Sequence, residues 1–146
     1  MRLPATSPSV WGPASWRALH LLAEGYPEAP SPPTRRHCSR FLRALAWMLP
    51  CESCGFHFRA FCRAYPGGLR RAASCRQELA LFLVEAHNEV ARHTRPAAPP
   101  WSLEEAEAAY ASAPAPPGGP PLVWGGPDRL RRSEASQAEC GCAARD

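Results

Sequence analysis

Apolar positions between residues 9 and 112 recur at the three-to-four spacing of helices. Trp16, Leu19, Leu22, Ala23 and Tyr26 form the first stripe and predict a helix from about Pro13 to Tyr26; Pro27 and the run Pro30-Ser31-Pro32-Pro33 end it. Ser31 suits the N-cap of a second helix with prolines in its first turn. That helix carries Cys38, Phe41, Leu42, Leu45 and Met48 and stops near Pro50. A third begins around Cys51, carries Cys54, Phe58, Phe61, Cys62 and Tyr65, and is broken by Pro66-Gly67-Gly68. Ser74 and Gln77 read as a capping box that opens a fourth, with Leu79, Phe82, Leu83, Ala86, His87 and Val90 in its pattern and Pro96 at its end. A second box, Ser102 and Glu105, opens a short helix that reaches Tyr110. The longest β-like run, Leu81-Phe82-Leu83-Val84, lies inside a helical pattern. The expected fold is all-α, a four-helix bundle plus a short fifth helix. Its short connections should pack sequential helices antiparallel or nearly so.

Composition divides the chain. Of 146 residues, 18 are proline and 10 glycine; they are unevenly spread, and after Ala113 they form a linker-like run, Pro114-Ala115-Pro116-Pro117-Gly118-Gly119-Pro120-Pro121. The expected organisation is a helical domain over 9–112 and a flexible C-terminal tail over 113–146, which lacks periodicity and contains Cys140-Gly141-Cys142. Net charge is +4 and all seventeen basic residues are arginine, yet thirteen acids offset them and no basic block exceeds two. Nucleic acid is therefore not an expected partner. No apolar run approaches the length of a membrane span, and the first eight residues lack the apolar core of a secretory signal. No GxGxxG or GxxxxGK[ST] loop occurs. Seven cysteines without an export signal point to redox chemistry or metal.

Cys51-Glu52-Ser53-Cys54 is a CxxC at a helix start, where unpaired backbone N–H groups and the helix dipole favour a thiolate. A redox-active dithiol fits. So does part of a zinc site, in which Cys51, Cys54, His57 and Cys62 make a Cys3His set. A thioredoxin-like fold fits less well, because the βαβ pattern around the CxxC is missing. Cys140 and Cys142 form a second close pair. A disulfide spanning a single residue is strained and labile, suited to exchange; the alternative is an inert chance pair. A linker of about 28 residues spans roughly 30 Å, enough to reach the CxxC of the same or a neighbouring subunit. Cys62 and Cys75 flank the Pro66-Gly67-Gly68 turn. Paired, they close a loop of about a dozen residues worth on the order of 3 kcal/mol; unpaired, they are two buried thiols. Cys38 is the remainder, buried and inert or a link between subunits.

Trp16 and His20 share a helical face, and His87 and Asn88 lie on the fourth helix. Such residues alone are ordinary core groups. Beside a CxxC they suggest a planar aromatic ligand stacked on Trp and His rings.

Three blocks together carry a resemblance: Trp11-Gly12-Pro13-x-x-Trp16-x-x-x-His20 with Tyr26-Pro27, Leu49-Pro50-Cys51-Glu52-Ser53-Cys54-x-x-His57-Phe58, and His87-Asn88-Glu89-Val90 through Arg92 to Arg95-Pro96. In order and spacing they resemble the Erv/ALR family of FAD-dependent sulfhydryl oxidases over residues 9–112. The resemblance implies FAD bound within the bundle and a homodimer. It implies Cys54 as the charge-transfer thiolate next to the flavin and Cys51 as the interchange thiol. It places Trp11, Gly12, Trp16, His20, Tyr26, His57, His87, Asn88, Val90, Arg92 and Arg95 in the FAD site, with the two arginines near the pyrophosphate. Protein dithiols or a thioredoxin-like carrier would be the substrates and O2 the acceptor, giving hydrogen peroxide. There are departures. Ala91 stands where the family has Asn. Val84 stands where cellular members often carry a structural cysteine. Cys62 and Cys75 fall near cysteines of some animal members, and the tail Cys-Gly-Cys resembles the shuttle of a fungal member. With GC-rich residue usage and no signal, the reading leans to a viral enzyme in host cytoplasm or virion, with the mitochondrial intermembrane space second. The competing readings are a zinc-stabilised helical interaction module without catalysis and a helical scaffold with incidental cysteines.

Overall fold

The structure, a computed structural model, describes residues 3–94 and 96–111. Arg95, Cys140, Cys142 and the whole 113–146 segment lie outside the described residues. Within them the chain forms six helices and no strand: α1 (Pro8–Glu24), α2 (Pro32–Met48), α3 (Glu52–Ala64), α4 (Gly68–Ala72), α5 (Arg76–Thr94) and α6 (Leu103–Ala111). No helix is long and apolar enough to cross a membrane.

Local chemistry accounts for most of the boundaries. Ser31 caps α2, its hydroxyl accepting the Thr34 N–H at 3.3 Å. Ser102 and Glu105 form the expected reciprocal box at α6: the Ser102 N–H donates to Glu105 Oε2 at 2.7 Å and the Glu105 N–H to Ser102 Oγ at 3.1 Å. Three expectations are corrected. First, α1 begins at Pro8, not Pro13. Pro8 takes the position proline favours, and the Trp11 indole N–H, donating to the Thr6 carbonyl at 3.1 Å, ties the first turn down. Second, α5 opens at Arg76 with the Leu79 N–H on the Cys75 carbonyl at 3.1 Å, so Ser74 is not its cap. Third, Pro66-Gly67-Gly68 leads into the one-turn helix α4 rather than directly into α5. Gly67 holds φ +77°, and a Cβ there would lie 2.7 Å from the Arg71 Cδ.

Packing centres on α5, which meets α1, α3, α4 and α6, while α2 lies on α3 and α4. Phe82 is wholly buried, with its ring against Phe58, Phe61 and Tyr65 at 4.9–6.2 Å between centroids. The expectation that sequential helices pack side by side fails for α1 and α2, whose backbones make no close approach. The connection between them is anchored on the start of α5 instead. The Tyr26 hydroxyl donates to the Ala73 carbonyl at 2.9 Å, and Arg76 reaches the Tyr26 carbonyl at 2.7 Å and Glu28 at 3.2 Å. The two helices therefore flank an apolar groove of about 380 Å³ lined by Leu22, Phe41, Leu79 and Leu83 among others.

Candidate functional site

Two features, carried on helices that pack together, make the site. The first is a ring of aromatic side chains from α1, α5, α6 and the segment entering α6. The Trp16 and His87 rings stack at 4.5 Å and 13°, and His20 and Tyr110 stack at 4.6 Å and 6°. Trp101 closes the circuit, 5.5 Å from His87 and 6.1 Å from Tyr110. Helical spacing explains the α1 side: Gly12, Trp16 and His20 fall at i, i+4 and i+8 on one face. A Cβ at Gly12 would meet no atom within 4 Å, so the absent side chain leaves this face open beside the rings. The α6 side is fixed by Asn88. Its carboxamide donates to the Trp101 carbonyl and accepts the Trp101 N–H, both at 2.8 Å.

His20 is 3% exposed and its Nε2 has no hydrogen-bond partner among the described residues. Burial, with the neighbouring His87 adding to it, holds its pKa down at about 4, so the ring is neutral at neutral pH. A neutral imidazole with an unused nitrogen, set among aromatic faces, suits a planar heteroaromatic ring with a hydrogen-bonding edge.

The second feature is the disulfide between Cys51 and Cys54, with Cα atoms 5.2 Å apart, at the N-terminus of α3. Cys51 is the N-cap, and its sulfur accepts the Cys54 N–H at 3.2 Å. Both cysteines are half-buried. Gly55 sets their position: a Cβ there would lie 2.7 Å from the Ala46 carbonyl oxygen, so glycine lets the start of α3 close on the end of α2. His57, one turn on from Cys54, stacks on His93 of α5 at 5.4 Å and 17°. His93 Nε2 lies 3.2 Å from Glu89. This contact ties the disulfide-bearing helix to the helix that carries His87.

The remaining expected site residues divide. Trp16, His20 and His87 meet in the ring, and His57 follows Cys54 by one turn on α3 and meets His93. Asn88 holds Trp101 in place rather than facing a ligand with a free amide. The Tyr26 hydroxyl is engaged by Ala73, which anchors the α1–α2 connection. Trp11 sits in the first turn of α1 with its N–H on Thr6. Val90 is half-buried on α5, and Arg92 is exposed and paired with Glu89. The expected alternative of a Cys62–Cys75 disulfide is corrected: no disulfide joins the two. They face different surroundings: Cys62 lines a cleft between α2 and α3, whereas Cys75 lies near the Tyr26 hydroxyl. Burial pushes the Cys62 thiol up to about 11 and raises Cys38 as well. The zinc reading is overturned by the disulfide, which removes two of its four ligands; among the described residues no group of three or more metal-binding side chains gathers.

Sequence reasoning missed Trp101, Tyr110 and His93. The signal for the first two was present, as large aromatics in a stretch otherwise rich in alanine, proline and glutamate.

An all-helical domain with an aromatic ring and a helix-capping disulfide defines a class, and comparison with known proteins agrees. The model of the Erv1/Alr family matches residues 13–107, and the chain belongs to that family. The 096R protein of Invertebrate iridescent virus 3 is 38% identical over 90 residues, which is 61% of this chain and 60% of that one. The FAD-linked sulfhydryl oxidase ERV1 of Arabidopsis thaliana is 33% identical over 81 residues, 56% of this chain and 40% of that one. The chain thus spans about half the length of these relatives. The fold is that of the yeast Erv1 core, with a TM-score of 0.66 at 24% identity over 79% of this chain and 91% of that one. The FAD binding domain of Erv1 from Saccharomyces cerevisiae is similar too, with a TM-score of 0.62 at 25% identity, covering 75% of this chain and 94% of that one.

Proposed function

We propose that this chain is an FAD-dependent sulfhydryl oxidase that converts protein dithiols, or the dithiol of a thioredoxin-like carrier, to disulfides. The observation that carries this reading is the Cys51–Cys54 disulfide at the N-cap of α3, a helix joined through His57 and His93 to α5, which carries His87 of the aromatic ring. FAD, when bound, would take the electron pair of the reduced cysteines and pass it to O2, giving hydrogen peroxide. Trp16, His20, His87, Trp101 and Tyr110 would hold its planar rings.

The protein's own chemistry is exchange. A substrate thiolate attacks the Cys51 sulfur, forming a mixed disulfide and breaking the bond to Cys54, which leaves as a thiolate. The second substrate thiolate then attacks the substrate sulfur of that mixed disulfide. A substrate disulfide forms and Cys51 departs as a thiolate, with two electrons left on the cysteine pair. The backbone N–H that meets Cys51, together with the positive end of α3, stabilises that leaving thiolate.

The purified chain is expected to be yellow, with Cys54→Ser retaining FAD and losing turnover. A colourless, zinc-containing product overturns the reading. A homodimer is part of the proposal. The groove between α1 and α2 and the exposed Leu22 and Phe41 support it as an apolar face for a second copy. Sedimentation of the wild type and of Phe41→Glu tests it, and a wild-type monomer overturns it. Cys140 and Cys142 are proposed as a shuttle: removing 113–146 should spare a small dithiol and slow protein substrates, and equal rates for both dismiss the idea.

A further inference from the structure

Arginines are interspersed along the sequence, yet the fold gathers seven of them on one cleft of about 890 Å³. Arg35, Arg36, Arg40 and Arg43 come from α2, where Arg36, Arg40 and Arg43 fall at i, i+4 and i+7 on one face. Arg59 and Arg63 face them from α3, and Arg70 closes one end from α4. No acidic side chain lines the cleft, and none of the seven is in an ion pair among the described residues. This concentration of like charge repels itself, and among the described residues no acid is placed there to offset it. A concave surface lined by one sign of charge focuses field into the cleft and concentrates ligands of the opposite sign.

The cleft lining reaches the end of α2, close in sequence to the redox centre. Trp47 lines it four residues before Cys51, and the Arg59 guanidinium lies 4.2 Å above the Trp47 ring. Arg59 also donates to the Ala46 carbonyl at 3.0 Å, on the turn that delivers the disulfide. The cleft and the disulfide therefore share the end of α2 and the length of α3.

We propose that this arginine cleft docks an acidic segment of the dithiol substrate protein, so that the cysteine pair next to that segment is presented to Cys51. The proposal rests on the oxidase reading above and adds the class of polypeptide that the site selects. A polypeptide fits better than a nucleic acid. Single-stranded nucleic acid stacks successive bases on several aromatic platforms, whereas among the described residues the cleft lining has one aromatic side chain, Trp47, with one ring face taken by Arg59.

The test compares full-length protein on two synthetic peptides that carry the same cysteine pair, one flanked by a run of glutamates and one by serines, with dithiothreitol as a small substrate. At low salt the acidic peptide should be oxidised with kcat/KM about tenfold above the serine peptide. In 1 M salt, where the screening length is about 3 Å, the advantage should vanish. Arg40→Glu should abolish it and leave dithiothreitol oxidation unchanged. Arg17→Glu on α1, outside the cleft, makes the same change in net charge and should retain it. Turnover of dithiothreitol without preference between the peptides overturns the cleft assignment and leaves the oxidase reading standing. If no dithiol is oxidised, the oxidase reading fails by itself, and the cleft is then judged by fluorescence anisotropy with an acidic peptide whose cysteines are replaced by serine. Binding lost in Arg40→Glu but not in Arg17→Glu supports the docking site; no binding, or tighter binding of a single-stranded oligonucleotide of equal charge, overturns it.

Discussion

The imidazole of His87 lies flat on the indole of Trp16, 4.5 Å between centroids and 13° from parallel, joining the middle of α5 to the middle of α1. Because the Trp16 ring also approaches His20 at 6.2 Å, one indole organises both histidines. Trp16→Ala should keep the helical fold, since Trp16 is half-buried at the edge of the core, but weaken flavin retention. Losing one stacking partner costs about 0.5–1.5 kcal/mol beyond area, so affinity should fall up to about tenfold. Flavin content after gel filtration checks this, and full retention would remove the ring from the binding site.

Asn88 acts one step removed from that ring. Its two 2.8 Å bonds hold the Trp101 backbone at the entrance to α6. Asn88→Ala should leave α5 intact, because alanine is the better helix former, and should release Trp101 at a net cost of about 1–3 kcal/mol. Hydrogen exchange and limited proteolysis should then show faster opening around residues 96–102. Unchanged protection would mean that α6 is held by its other contacts.

The core was easier to read from the sequence than the site, for a physical reason. Periodicity reports which face of a helix is buried, and caps report where a helix begins, so Phe82, Leu83, Ser31 and the Ser102–Glu105 box all stand where patterning puts them. Neither reports which helices meet. Tyr110 joins the ring because α6 packs on α1, a tertiary fact with no local signature. The Cys62–Cys75 pairing was attractive by separation along the chain, but direction matters. α4 intervenes, and the two thiols face different surroundings. The arginines show the converse. Scattered in sequence, they converge only when α2 lies across α3.

Phe82 tests the packing account. It is wholly buried and in ring contact with Phe58, Phe61 and Tyr65. Phe82→Ala should cost about 3–5 kcal/mol, enough to unfold much of a small domain at physiological temperature. Phe82→Leu, which fills part of the space, should cost clearly less. Urea denaturation of the two variants gives the comparison, and equal midpoints would contradict the packing account.

Acid should destabilise the fold through His20. Its folded pKa of about 4 lies below the ordinary histidine value of 6.5, because burial, with His87 adding to it, disfavours the charged ring, so the native state resists protonation. Above pH 6.5 both folded and unfolded chains carry a neutral imidazole, and the group contributes no pH dependence. As pH falls from 6.5 towards 4, the unfolded chain takes up the proton and the folded one does not, so stability drops across that window and levels below it. The gap sets an upper bound of roughly 3 kcal/mol, reduced by whatever water reaches the ring. His20→Phe keeps a planar ring of similar size and removes the titration. Its stability should therefore fall less steeply than that of the wild type between pH 6.5 and 4 in guanidinium melts at fixed ionic strength. Parallel curves for the two proteins would assign the acid sensitivity to other groups.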